Sequence, residues 1–182
     1  MTATGMKDSD HYCRQRRILL RAMLGAGAGL ALPAMANELK LGQMAPPLVL
    51  NTLDGKKIAT RDLSGEVVLV TFWASYCEPC QQELPLLSGY AEANAGRGLR
   101  VLGFSLDGPE LIGDVKKIAA HLSFPVGLLG NPWAGGYGRI WRIPVSFVIA
   151  RDGKLAYDGW QDKQPVWSAE SLHGVVDPLL ST

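Results

Sequence analysis

Two cysteines three positions apart, Cys77 and Cys80, follow a continuous apolar run, Val67-Val68-Leu69-Val70-Thr71-Phe72-Trp73. Such a run is the signature of a strand buried on both faces. The segment after the cysteines, from about Gln81 to Ala95, is patterned as a helix. Residues three apart share a helix face, so the two sulfurs are within disulfide reach across the first turn. The first turn also has unpaired N–H groups and a partial positive charge. Both stabilise a thiolate, the attacking species in thiol–disulfide exchange. Cys77 lies nearest the exposed helix end and is expected to attack a partner disulfide. Cys80, one turn in, is expected to resolve the mixed disulfide. Pro79 suits a first turn, where its missing N–H costs nothing.

Two acids accompany the thiols. Glu78 lies between them, opposes a thiolate and offsets part of the helix-end stabilisation. That makes the couple less oxidising and points to reduction rather than oxidation of partners. A solvated first-turn acid favoured by the helix dipole is the plainer account of Glu78. Glu83 follows Cys80 by three residues on the same face, placed to exchange a proton with the Cys80 sulfur. Its alternative is an exposed surface acid. Pro85 is expected to kink the helix just beyond Glu83.

The chain of 182 residues carries 18 basic and 17 acidic side chains, for a net charge of +1. A near-neutral balance without a dominating basic patch gives no indication of nucleic-acid binding. Residues 1–36 read as a secretory leader. Met1 to Arg21 is largely polar with Arg14, Arg16, Arg17 and Arg21; Ala22 to Leu32 is apolar and Gly-rich; Pro33-Ala34-Met35-Ala36 supplies a small-residue cleavage site. Gln15-Arg16-Arg17 resembles a twin-arginine signal. The expected mature domain spans 37–182 in the periplasm, or on an inner-membrane tether if the leader is retained. Cys13 falls in the leader, so the mature domain keeps only Cys77 and Cys80. A bridge closing so short a loop constrains the unfolded chain little, so a redox role explains the pair better than a structural one. Without the leader, 13 basic and 15 acidic residues give about −2, with His121 and His173 the remaining histidines.

The elements that must hold the thiols follow from periodicity. Leu48–Leu50 and Lys57–Ala59 are short strands about a turn at Leu53–Lys56. Leu99–Leu106 reads as a second buried strand, and Asp107-Gly108-Pro109-Glu110 as a turn and helix start. Leu111–Leu122 repeats apolar residues at helical spacing, and Phe124–Leu129 is a short strand. Gly130–Gly138 is irregular, and Trp133 and Trp141 offer aromatic surface near the thiols or plain packing. Ser146–Ala150 and Leu155–Trp160 form a hairpin about Arg151–Lys154. Ser168–Leu180 is an amphipathic helix. Strands alternating with helices imply an α/β core with parallel pairing. Base rates alone favour a trans bond before Pro144.

The stretch Trp73-Ala74-Ser75-Tyr76-Cys77-Glu78-Pro79-Cys80-Gln81-Gln82-Glu83-Leu84-Pro85 resembles the active site of the TlpA/ResA-like thioredoxin-fold thiol–disulfide oxidoreductases. The likeness covers nearly all of Leu41 to Leu180, including Gly42–Pro47, Tyr137-Gly138, Ile143-Pro144 and Arg151-Asp152-Gly153. It implies a single thioredoxin-like α/β domain whose central mixed sheet is flanked by helices. It gives Cys77 and Cys80 the attacking and resolving roles, and Glu83 that of an active-site glutamate. Glu78-Pro79 matches the intervening dipeptide, and Pro144 matches a cis-proline. Ile143, Pro144 and Val145 would line the groove for a cysteine-containing segment, with Trp73 and Tyr76 as flanking aromatics. Val145 stands where Thr is common, and Tyr76 where Trp is common. The resemblance implies no cofactor. Its partners would be cysteine-containing exported proteins, apocytochrome c or copper-site assembly proteins, with a membrane thiol as electron donor. A monomer is the default.

Two other classes compete. Cys77 and Cys80 could bind copper or zinc, although two thiolates fall short of a structural zinc set. A thiol peroxidase on the same fold needs an activated Cys, usually with Thr and Arg around it in the family that it would resemble; Ser75 is misplaced for that and no Arg is near in sequence.

Overall fold

The computed structural model describes residues 39–163 and 166–181, so the leader and its cleavage site lie outside the described residues. Among the described residues, seven strands and three α-helices follow in the order β1 (Val49–Asn51), β2 (Lys57–Ala59), β3 (Val67–Trp73), α1 (Glu78–Asn94), β4 (Leu99–Ser105), α2 (Ile112–Ala119), β5 (Val126–Leu128), β6 (Val145–Ile149), β7 (Leu155–Asp158) and α3 (Ala169–Leu180). Five strands form one sheet in the order β5-β4-β3-β6-β7, while β1 and β2 make a separate antiparallel pair. β3 and β4 run parallel, as do β4 and β5; β6 is antiparallel to both β3 and β7. The sheet is therefore mixed, with its β-α-β half parallel and its hairpin half antiparallel.

β3 lies at the centre and is buried at every position. Side chains alternate across a strand, so β3 supplies two cores. Val67, Leu69 and Trp73 pack with Leu84, Leu87 and Ala91 of α1 and with Leu172, Val176 and Leu180 of α3. Val68, Val70 and Phe72 pack on the other face with Leu50, Ala134, Tyr137 and Ile140. No helical period marks 134–140, because this cover is a short 3₁₀ turn and loop held by its own backbone bonds.

Boundaries shift from the sequence expectations for local reasons. α1 begins at Glu78 rather than about Gln81, because Cys77 acts as its N-cap: the Cys77 sulfur accepts the Cys80 N–H at 3.3 Å. Pro85 lies inside α1, which runs on to Asn94. α2 is shorter than its apolar spacing suggests, ending at Ala119 after a 3₁₀ turn at Pro109–Leu111. α3 begins with a capping box in which Ser168 and Ser171 bond reciprocally. Among the described residues, no helix is long and apolar enough to cross a membrane.

Candidate active site

The parallel β3–β4 pairing and the antiparallel β3–β6 pairing bring three chain segments to one end of the sheet. β3 stops at Trp73, and Ala74–Tyr76 lead into the thiols. Ser105, at the end of β4, lies opposite Trp73. Val145, at the start of β6, lies opposite Phe72. The Ile143–Pro144 bond before it is cis, as the resemblance implied and base rates did not. The proline loop thus stands beside the strand end that feeds the cysteines.

Cys77 and Cys80 form a disulfide with Cα atoms 5.2 Å apart. Cys77 is 8% exposed and Cys80 is sealed at 0%. Both belong to the core cluster around α1, and Cys77 keeps a small exposed edge because it caps the helix at its N-terminus, whereas Cys80 lies one turn in.

Glu83 shares the inner face of α1 and is 2% exposed, not a surface acid. Its Oε2 accepts the Trp167 N–H at 2.9 Å. The Thr71 side chain lies on the same face of β3 as Trp73 and beside the carboxyl. Burial raises the Glu83 pKa from an ordinary 4.5 to about 7, overcoming the opposite effects of Trp167 and Thr71. A carboxyl with that affinity holds or gives up a proton near neutral pH.

The seven residues expected at a partner surface separate in the fold. Tyr76 is 69% exposed, and Glu78 and Pro79 are also exposed. Ile143 is half-buried. Trp73, Pro144 and Val145 are buried, so their side chains support the surface from beneath, and Trp73, expected as a flanking aromatic, is completely covered. It follows six apolar or buried positions on the central strand and is covered by α1. Trp133 and Trp141 are exposed rather than packed inside. Trp141 stacks on Trp160 at 5.5 Å, and Arg142 lies over both indoles. Arg142 is fixed by the carbonyls of Gly159, Trp160 and Asp162. An open cleft of about 430 Å³ adjoins the redox loop, between Tyr76 and Gln81 on one side and Leu111, Lys117 and Ile118 on the other.

Three site neighbours carried no sequence signal of their own. Trp167 reaches Glu83 from 84 residues away. Ser75 and Asp107 bond across 32 residues. Asp107 sits in an Asp-Gly-Pro sequence that reads locally as a turn. Among the described residues, no group of three or more His, Cys, Asp or Glu side chains is arranged to hold a metal ion.

Comparison with known proteins agrees with this geometry. Residues 41–158 match the AhpC/TSA family. The thiol-disulfide oxidoreductase ResA of Bacillus thuringiensis (strain Al Hakam) is 30% identical over 146 residues, covering 76% of this chain and 83% of the relative. ResA of Bacillus subtilis (strain 168) is 28% identical over 145 residues, 76% and 77% of the two chains. Among solved structures, a protein described as a thiol:disulfide interchange protein DsbE from Chlorobium tepidum aligns with a TM-score of 0.67. It is 28% identical, and the match covers 79% of this chain and 99% of that one.

Proposed function

The chain belongs to the AhpC/TSA family, and on that premise we propose that it is a disulfide reductase for exported proteins. It is a thiol–disulfide oxidoreductase of the ResA/DsbE type. The single observation that carries the order of the reaction is the asymmetric pair, Cys77 at 8% exposure bonded to a fully sealed Cys80, with Glu83, raised by burial to about 7, on the inner face of the same helix.

In the reduced protein the Cys77 thiolate attacks one sulfur of a partner disulfide. The partner S–S bond breaks, its other sulfur leaves and takes a proton, and a Cys77–partner disulfide forms. Cys80 then loses its proton to Glu83 and attacks the Cys77 sulfur. The Cys77–Cys80 disulfide forms, and the second partner sulfur leaves as a thiolate that takes a proton from water. Two electrons have passed to the partner, and a membrane thiol donor restores the dithiol. Burying Cys80 keeps partner sulfurs away from it, so the first attack falls to Cys77. Tyr76, Glu78, Pro79 and the Ile143–Pro144 edge form the docking surface, with Trp73 and Val145 holding it in place.

Export to the periplasm, with residues 1–36 as the leader, supplies the compartment in which such partners arise. Apocytochrome c and copper-site assembly proteins are the proposed substrates, since both must have reduced cysteines before loading. The test is a Cys80→Ser chain expressed with its leader. It should accumulate mixed disulfides through Cys77 with exported cysteine proteins, and the wild-type potential should lie near or below roughly −270 mV. No trapped partner, or a potential near roughly −120 mV, overturns the reductase reading.

A further inference from the structure

A buried carboxylate lies behind the redox loop and has no part in the reaction above. Leu106 N–H donates to the Trp73 carbonyl at 2.8 Å, so the chain leaving β4 stays beside the chain leaving β3. The next residue, Asp107, is 2% exposed. Its Oδ2 accepts the Ser75 N–H at 2.8 Å and the Ser105 hydroxyl at 2.6 Å, and its Oδ1 accepts the Ser75 hydroxyl at 2.6 Å. Asp107's own N–H donates to Ser105 Oγ at 3.0 Å, which leaves that hydroxyl's proton free for the carboxylate. All three partners are donors, the arrangement that an ionised, acceptor-only carboxylate requires. Among the described residues Asp107 makes no ion pair.

We propose that Asp107 is a positioning residue that clamps Ser75 and, through its buried charge, makes the Cys77 thiol harder to ionise and the couple more reducing. This rests on the reading of Cys77 as the attacking thiol. Ser75 is two residues from Cys77, so their Cα atoms are at most about 7.6 Å apart. The Asp107 carboxylate, 2.8 Å from the Ser75 nitrogen, therefore lies within about 12 Å of the Cys77 Cα, and a buried charge at that range is less screened than one in water. The clamp also uses the Ser75 N–H, which then cannot turn toward a thiolate. Three carboxyls surround the thiols: Glu78 in solvent, Glu83 beneath α1's inner face, and Asp107 behind the loop. Across the cleft, Asp114 and Lys117 pair with each other at 2.8 Å and offset one another. Glu78's charge is exposed and diluted by water, so the buried Asp107 has the greater leverage on the thiolate.

The test uses the full chain, reduced, with Asp107→Asn and Ser105→Ala. Asparagine keeps an acceptor for Ser75 N–H and removes the charge. Ser105→Ala keeps the charge and the Ser75 bonds but removes one screening donor. The pH profile of Cys77 alkylation and the potential against thiol buffers are measured, with near-UV circular dichroism reporting the fold. Asp107→Asn should lower the thiol pKa by about half a unit or more, roughly a threefold gain in thiolate below the pKa, and make the couple more oxidising. Ser105→Ala should move the profile the other way. Folded variants whose profiles overlay the wild type, or an upward shift in Asp107→Asn, overturn the proposal. If Asp107→Asn does not fold, Ser105→Ala decides: an upward shift supports the clamp, and no shift overturns it. A wild-type chain with no titrating thiol and no reversible couple overturns the oxidoreductase reading itself and the clamp with it.

Discussion

Replacing Glu83 by Gln should change the pH dependence of stability in a way that tests its burial directly. In the fold the acid titrates at about 7, against an ordinary 4.5, because burial penalises the carboxylate. Below 4.5 both folded and unfolded chains hold the proton, and the folded state has its full stability. Between 4.5 and 7 the unfolded chain releases the proton while the folded chain keeps it, so stability falls as pH rises. Above 7 both states are ionised, and the folded state bears the whole cost of a buried charge. Each pH unit of that interval is worth about 1.4 kcal/mol, so the loss approaches about 3 kcal/mol. Glutamine is neutral and can still accept the Trp167 N–H, while its amide can donate to the Thr71 hydroxyl beside it. Urea unfolding of the oxidised protein between pH 4.5 and 9 checks this, since the disulfide removes thiol titration. The two proteins should be nearly equal at pH 4.5, with Glu83→Gln gaining about 3 kcal/mol over wild type above pH 8. A stability gap that stays constant across this range would refute the reasoning. In the reduced protein the same substitution removes the proton acceptor proposed for Cys80. Resolution of the mixed disulfide should then slow by about a hundredfold.

Other expectations follow from single contacts. Arg151 donates to the carbonyls of Gly65, Arg97 and Leu180, tying the β6–β7 turn to the ends of α1 and α3. Arg151→Ala should lower unfolding free energy by about 2 kcal/mol and raise hydrogen exchange in the last turn of α3; unchanged exchange there would refute the tie. A Cβ on Gly127 would stand 2.0 Å from the Asn51 carbonyl oxygen. Gly127→Ala should therefore cost about 3 kcal/mol by forcing β1 from β5, and a loss below about 0.5 kcal/mol in denaturant melts would contradict it. Trp141 is 71% exposed and two residues before Ile143. Trp141→Ala should leave the reduction potential unchanged and weaken partner reduction several-fold through KM; an equal fall in kcat would assign Trp141 to the chemistry instead.

Much of the site was legible because its signals are local. An apolar run followed by C-x-x-C and a helical pattern places two thiols at a strand–helix junction, whatever surrounds them. The hairpin about Arg151–Lys154 and the amphipathic face of α3 were likewise written in adjacent residues, and the observed elements lie within a few positions of those expectations. Glu83 was legible only as a choice, since a position three residues after Cys80 fixes the helix face but not what covers it. The 134–140 cover was not legible, because a 3₁₀ turn and loop leave no apolar period in the sequence.

The sequence by itself determined the thiol pair, its place at a helix start and the alternation that makes β3 two-sided, since each depends on backbone periods of a few residues. The tertiary structure decided the properties that make those thiols unequal. Cys80 and Glu83 are sealed because α1 lies on the face of β3 that α3 also covers, and Trp167 reaches Glu83 across 84 residues. Asp107 clamps Ser75 because β4 runs parallel to β3 and ends level with it. Burial and charge at a site are set by whatever the rest of the chain brings against it, and no local pattern encodes a neighbour that distant.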